Sequence, residues 1–173
     1  MTELAAPSPP AAGIGFVNGS LGRTGINHRM AYLNGTFAKA LEHASTRWLE
    51  WFRGSLARRG STPKAQLLGI WDALEEWFES DHFYGSTITN AAAKLQDHPQ
   101  HPGHQIIAAH RRALRQLLEE LAAAAGADDP AGLAGQLLVL MEGAIVGAVI
   151  DRQPAVARIG RDLTQMALGG QAA

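Results

Sequence analysis

Apolar side chains recur at steps of three and four residues through most of this sequence, which is the period of an amphipathic helix. In residues 36–59, Phe37, Leu41, Trp48 and Phe52 share one face of a helical wheel, and charged side chains lie elsewhere on it. Residues 63–78 repeat the pattern with leucine, isoleucine and tryptophan on one face. We therefore predict two long helices, each of which buries one face.

Two helix starts are marked by a capping side chain followed by proline. Thr62 precedes Pro63, and Asp129 precedes Pro130. A threonine or aspartate can accept a hydrogen bond from the first turn, and proline is well tolerated at the first helical position. We therefore predict that helices begin at Pro63 and Pro130.

The remaining boundaries follow from breaks in the periodicity. The sequence predicts helices over residues 36–59, 63–78, 89–95, 104–126, 130–150 and 154–168, with a loop over 97–103. No strand-like alternation of polarity is present, so the fold class is predicted to be all-α, as one helical bundle over residues 36–169. Residues 1–35 hold three prolines and six glycines, and we predict an irregular N-terminal arm there.

Composition narrows the class of protein. Hydrophobic residues make up 46% of the chain and charged residues 18%, which is an ordinary balance for a globular domain. The net charge of −1 does not favour a chain dominated by phosphate contacts, and zero cysteines exclude disulfides and thiolate chemistry. No apolar run approaches the roughly 20 residues that a bilayer span needs, so we expect a cytoplasmic protein with no membrane partner.

Motifs for catalysis or metal binding are absent from the sequence. It contains no nucleophile elbow, phosphate-binding loop or zinc-protease motif, so we expect neither an enzyme nor a cofactor. His98, His101 and His104 have a spacing that suggests metal ligands, but Pro99 and Pro102 break any helix that would align them. A solvated loop without a metal is the better interpretation.

Three segments together resemble one large family. Residues 83–91 follow a Phe-x-Gly-Cys-x-x-x-Asn/Ala-Ala turn, with Ser86 in the cysteine position. Residues 110–115 lie in a long helix, and residues 125–146 run from an Ala-Gly-Ala-Asp-Asp-Pro turn into an apolar helix. Taken over residues 37–169, the chain resembles the C-terminal ligand-binding and dimerisation domain of TetR-family transcriptional regulators.

The resemblance implies a small hydrophobic or aromatic effector bound between the helices. Large rings on the first two helices would supply apolar walls, and polar side chains near them would orient the ligand. The predicted ligand-binding residues are Trp48, Phe52, Leu67, Trp71, Phe78, Ser86, Asn90, His110 and Met141. The alternative is a homodimeric or partner-binding helical module in which these rings fill the core and no effector binds. A cavity beside Trp71 and His110 would favour the effector.

The resemblance also implies a homodimer built from the last two helices. The penultimate helix is apolar around its circumference apart from Glu142, so it needs cover on more than one side. The predicted interface residues are Leu133, Leu137, Leu140, Ala144, Gly147, Ala148, Ile159, Leu163 and Met166.

A DNA-reading domain of the family does not fit this N-terminus. Three helices with their turns need on the order of 40 residues, and residues 1–35 are interrupted by helix breakers. Gly25, Ile26 and Tyr32 match the family's recognition helix only in part, as a remnant would. We expect specific DNA binding only if a helix-turn-helix is present upstream.

Overall fold

The computed structural model describes residues 23–81 and 83–169, with side chains from Gly35 onward. The described chain forms six helices and no strand. They are α1 (Arg23–Arg59), α2 (Pro63–Phe78), α3 (Thr87–Lys94), α4 (Gly103–Ala124), α5 (Pro130–Asp151) and α6 (Val156–Gly169). This confirms the prediction of an all-α bundle.

Helix α1 begins earlier than the sequence predicts. It starts at Arg23 instead of near position 36, so the part of the predicted irregular arm that lies within residues 23–35 is helical. An interior glycine such as Gly25 or Gly35 costs roughly 1 kcal/mol relative to alanine. Extending an existing helix avoids the cost of nucleating a new one, so the packed part of α1 can propagate through both glycines. Residues 1–22 of the predicted arm lie outside the described residues.

The helix ends follow the predicted caps. Thr62 Oγ1 accepts a hydrogen bond from the Ala65 N–H at 3.2 Å, and an Asp129 carboxylate oxygen accepts one from the Gly132 N–H at 2.9 Å. At the end of α4, Gly126 adopts a φ of +82° and donates to Ala123 O. Its neighbour Ala127 donates to Ala122 O, and the two bonds form a Schellman cap.

Helix α2 lies at the centre of the bundle. It packs against α1 and α4 on one side and against α6 on another. Trp71 is buried where α2 meets α6, and its indole Nε1 donates to Thr164 Oγ1 at 2.8 Å. Gly160 lets α6 approach this ring, because a Cβ at that position would overlap the Trp71 side chain.

Helix α5 has one buried and one exposed apolar face. Leu133, Leu137 and Ala148 are buried in the core, whereas Val139 and Ile150 are exposed. Within the described chain, α5 is long and apolar enough to cross a membrane, with a mean hydropathy of 2.0, which corrects our expectation that no apolar run reaches that length. Of that span, 44% is buried against the rest of the bundle.

Candidate functional site

A cavity of about 620 Å³ lies between α1, α3, α4 and α5, with one ring of α2 in its wall. Its volume falls within the range of small-molecule sites. The residues that line it are Ala44, Trp48, Trp77, Ser86, Thr87, Ile88, Thr89, Ala92, Ile107, His110, Arg111, Leu114, Leu138, Met141, Glu142, Gly143, Ile145 and Val146. Most are apolar, so the cavity can exclude water from a hydrophobic ligand.

Aromatic packing fixes the wall formed by α1 and α2. The Trp48 ring stacks on Phe52, with centroids 4.8 Å apart, and contacts the edge of Trp77 at 5.7 Å. Trp48 is only 8% exposed. Its indole Nε1–H is fully buried and has no hydrogen-bond partner among the described residues. Buried donors are usually paired, so this one requires an explanation.

His110 lies next to Trp48 on the same wall, with the two ring centroids 5.5 Å apart. Its Nδ1 is 2.9 Å from the hydroxyl of Ser45, which is buried on α1. Burial lowers the pKa of His110 to about 4, so the ring is neutral at pH 7. Among the described residues the Ser45 hydroxyl has no other hydrogen bond, so we assign its proton to His110 Nδ1. In that tautomer the Nε2 atom of His110 carries a hydrogen and can donate.

Polar groups occupy two other parts of the wall. Ser86 begins α3, where its Oγ accepts a hydrogen bond from the Thr89 N–H at 3.3 Å. On the opposite side, Arg111 of α4 forms an ion pair with Glu142 of α5. Both side chains of the pair are partly exposed, so it lies where the cavity approaches solvent. The pair leaves that part of the wall without a net charge.

The structure brings together four of the nine predicted ligand-binding residues. Trp48, Ser86, His110 and Met141 all line the cavity. The other five, Phe52, Leu67, Trp71, Phe78 and Asn90, do not form part of the wall. That any of them binds a ligand stays a prediction.

Each of those five residues has another place in the fold. Phe52 stacks behind Trp48, and Leu67 and Phe78 are buried between helices. Trp71 faces α6, so the cavity lies beside His110 but not beside Trp71. Asn90 is exposed, and its side-chain amide donates to Tyr84 O at 3.2 Å.

Several wall residues were not predicted from the sequence. Ile107 and Leu114 on α4, and Ile145 and Val146 on α5, are ordinary apolar residues in ordinary helices. Nothing in their spacing separates a cavity wall from a filled core. Glu142 did carry a signal, because the single charge in an apolar helix needs a partner.

The histidines before α4 shape its first turn. His101 Nδ1 accepts a hydrogen bond from the Gly103 N–H at 3.0 Å, and the His101 ring packs against Phe37. His104 Nε2 lies 3.2 Å from Leu95 O and 3.1 Å from His98 O. Within the described residues no group of three histidine or acidic side chains is placed to hold a metal ion.

Some of the predicted dimer residues are exposed on the surface of the bundle, and others are buried in its core. Ile159, Leu163 and Met166 are exposed on α6. In contrast, Leu133, Leu137, Ala144 and Ala148 are buried in the chain's own core, and Leu140 and Gly147 are half-buried. Whether any of the predicted interface residues contacts a second copy stays a prediction. A helix that is apolar all round has no polar face to show which side points inward.

The fold is an all-α arrangement that is also found in solved structures of TetR-family transcriptional regulators. The chain superposes on a TetR-family regulator from Streptomyces coelicolor with a TM-score of 0.64 and 21% identity, over 75% of this chain and 65% of that one. A chain from Streptomyces avermitilis assigned as a TetR transcriptional regulator gives 0.57 and 19%, over 74% of each chain. These matches confirm the predicted fold class.

Sequence comparison shows the same distant relationship. Over 116 residues, the chain is 28% identical to the HTH-type transcriptional regulator YjdC of Escherichia coli strain K12, and equally to YjdC of Shigella flexneri. The chain spans 60% of the length of these relatives, and the match covers 67% of the chain. No family model matches the sequence. The relatives are transcriptional regulators, which agrees with the expectation that the chain is not an enzyme.

Proposed function

We propose that residues 36–169 are the effector-sensing and dimerisation domain of a TetR-like transcriptional regulator. The observation that carries the proposal is the cavity of about 620 Å³ between α1, α3, α4 and α5. A filled-core module would have no such space beside His110. A ligand that binds one arrangement of these helices more tightly than another would shift the population of the domain, and that shift is the basis of sensing.

Ligand binding can be tested by filling the cavity. Ala44 lines it from α1, and Ala40 is exposed one turn earlier on the same helix. A panel of planar and acyl-chain compounds should include ligands that change tryptophan fluorescence and raise the melting temperature, as mass action requires. Ala44→Phe should reduce their affinity at least about tenfold, because the new ring occupies the site. Ala40→Phe is the matched control. Binding by neither the parent nor the control would favour the filled-core module.

The surface of the bundle supports a homodimer. The exposed large apolar residues of the described chain are Tyr84, Val139, Val146, Val149, Ile150, Ile159, Leu163 and Met166, and all but Tyr84 lie on α5 and α6. On α5, Val139, Gly143, Val146 and Ile150 recur at helical spacing, as Ile159, Leu163 and Met166 do on α6. An apolar surface of this kind marks an interaction site. A second copy could place α5 and α6 against their equivalents.

We infer that residues 36–169 do not read DNA. The net charge of −1 gives little attraction to phosphates, and a sequence reader needs a helix that can enter a groove. Titration of this chain with duplexes at physiological salt should show weak, salt-sensitive association at most. Nanomolar, sequence-dependent binding would contradict the inference. In a regulator that carries a helix-turn-helix, the ligand-driven shift would be transmitted to that reader.

A further inference from the structure

The cavity reaches solvent between α3 and α5. Both helices line it, but they do not pack against each other. The lining residues that are exposed lie around this gap, and we call the opening that they border the mouth. They are Thr89 on α3, Arg111 on α4, and Gly143 and Val146 on α5. An apolar ligand in the cavity of a single chain would therefore keep part of its surface in water at the mouth.

The mouth adjoins the exposed apolar surface of the bundle. Val146 lines the cavity and is 46% exposed, and it lies one helical turn from Ile150 on the outer face of α5. Tyr84 is the one large exposed apolar residue of the described chain outside α5 and α6. Its neighbour Gly85 lies against α5, because a Cβ there would be 3.1 Å from Val149 Cγ2. One apolar surface therefore runs from α6 across α5 to the mouth.

The distribution of charge on this surface fits a second copy of the chain. A two-fold dimer places a surface against itself, so an unpaired charge near its centre would meet a like charge. The outward helical positions of α5 at 139, 143, 146 and 150 hold only valine, glycine and isoleucine. The arginines of α6 are paired with carboxylates of α2, Arg158 with Glu75 and Arg161 with Asp72. A charged partner would gain no ion pair at the centre of such a surface.

We propose that a second copy of the chain, packed against α5 and α6, covers the mouth and completes the binding site. The proposal rests on the effector cavity and the dimer proposed above, and adds that they form one shared site. The apolar surface that a ligand leaves in water at the mouth of one chain is buried by the partner. Ligand binding and dimerisation then tighten each other by the same factor.

The reactivity of a single cysteine tests the covering of the mouth without any ligand. The chain has no cysteine, so Thr89→Cys places one thiol at the mouth and outside α5 and α6. It should react with a soluble maleimide several times more slowly in the dimer than in a monomer made by adding Ile159→Arg. Thr46→Cys is the matched control, because Thr46 is exposed on α1 and does not line the cavity. It should react equally in both backgrounds.

An uncharged fluorescent probe, N-phenyl-1-naphthylamine, measures the linkage from the ligand's side. The part of its signal that belongs to the cavity is lost in Ala44→Phe and kept in Ala40→Phe. The affinity of that part should be at least about tenfold weaker for Ile159→Arg than for the parent. Ile159 is 61% exposed and does not line the cavity, so the loss has to come through the partner. Gln165→Arg, on the same helix, should bind the probe as the parent does.

Sedimentation equilibrium measures the same linkage from the dimer's side. Saturating N-phenyl-1-naphthylamine should tighten dimerisation of the whole parent chain by the factor by which dimerisation tightens binding of the probe. It should leave the dimerisation of Ala44→Phe unchanged, because the new ring occupies the cavity that the probe needs.

Each alternative result has a distinct meaning. Equal reactivity at position 89 in the dimer and the monomer would show an open mouth and overturn the shared site, while the cavity and the dimer would stand. Equal affinity of the dimer and the monomer for the probe would overturn the linkage in the same way. A parent that stays monomeric would overturn the dimer itself. A dimer without any cavity-dependent signal, from this probe or from the broader panel, would overturn the effector cavity and the shared site with it.

Discussion

Trp48 and Trp71 are both buried, but within the described residues only the Trp71 indole N–H has a hydrogen-bond partner. Comparing variants of the two residues therefore measures what that hydrogen bond contributes to stability. We predict that Trp71→Phe lowers the free energy of unfolding by about 1–3 kcal/mol more than Trp48→Phe does. The Trp71 variant loses a 2.8 Å hydrogen bond to Thr164, whereas the Trp48 variant removes a donor that has no partner in the part of the chain that the structure describes. Urea unfolding followed by circular dichroism avoids the change in fluorescence. Equal losses would mean that the Trp48 N–H is satisfied in solution.

His110 should make stability depend on pH below neutrality. Burial lowers its folded pKa to about 4 from the ordinary 6.5, so the folded state resists protonation that the unfolded state accepts. Its contribution is complete above pH 6.5 and is lost as the pH falls from 6.5 towards 4. At pH 5 the loss is about 2 kcal/mol, and the total is roughly 3 kcal/mol.

The variant His110→Gln removes this titration. Its free energy of unfolding should fall less than that of the parent between pH 7 and pH 5, although it starts lower because the packing changes. Burial also lowers the pKa of His101, so some pH dependence in the same direction should persist in the variant. His43→Gln, at an exposed position of α1, is the control for losing one histidine. Parallel curves for the parent and His110→Gln would contradict the prediction.

At the scale of residues, the sequence identified the polar and aromatic anchors of the cavity better than its apolar wall. His110 stood out because a histidine interrupts an apolar face, and Ser86 because it holds the cysteine position of the family-like turn. Trp71 and Phe52 could not be separated from Trp48 by periodicity. All three lie on buried faces, and only the packing of α6 and α3 decides which ring meets empty space.

A substitution at Gly160 tests how closely α6 packs against α2. A Cβ there would overlap Trp71, so we predict that Gly160→Ala destabilises the bundle by about 1–3 kcal/mol through overpacking. In an uncrowded helix the same change would stabilise by up to roughly 1 kcal/mol. Gly135→Ala on α5 is the control, because nothing lies within 4 Å of a Cβ there. Thermal unfolding should therefore give shifts of opposite sign. A neutral Gly160→Ala would mean that α6 does not pack tightly on α2.

Helix positions could be predicted because their signals are local. Caps at Thr62 and Asp129 and the glycine at 126 mark ends that depend on a few neighbouring residues. The start of α1 could not be predicted in this way. Glycines weaken a helix locally, but whether the helix stops there depends on how firmly the distant part is anchored, and α1 is anchored by its packing against α2 and α4.

At the scale of the whole molecule, the sequence showed that α5 needs a second cover but not on which side. Leu133, Leu137 and Ala148 face the chain's own core, and Val139 and Ile150 face outward. On α6, the small or polar residues Gly160 and Thr164 are buried, whereas the large apolar residues Ile159 and Met166 are exposed. Large apolar residues that point away from the core support an interaction surface on this side of the bundle. The apolar pattern of α5 in the sequence could not show on which side that surface lies.

These outward residues decide which variants can test dimerisation. Arginine at Ala144 would enter the chain's own core and disturb folding, so it cannot report on the interface. Ile159 is 61% exposed and Ile150 is 72% exposed, so arginine at either position leaves the folded protomer intact.

We predict that the parent sediments as a dimer and that Ile150→Arg and Ile159→Arg sediment as folded monomers. An unpaired charge buried between two copies costs several kcal/mol. Gln165→Arg, at an exposed polar position of α6, should remain dimeric. A parent that stays monomeric at high concentration, or arginine variants that dimerise as the parent does, would show that this surface has another partner.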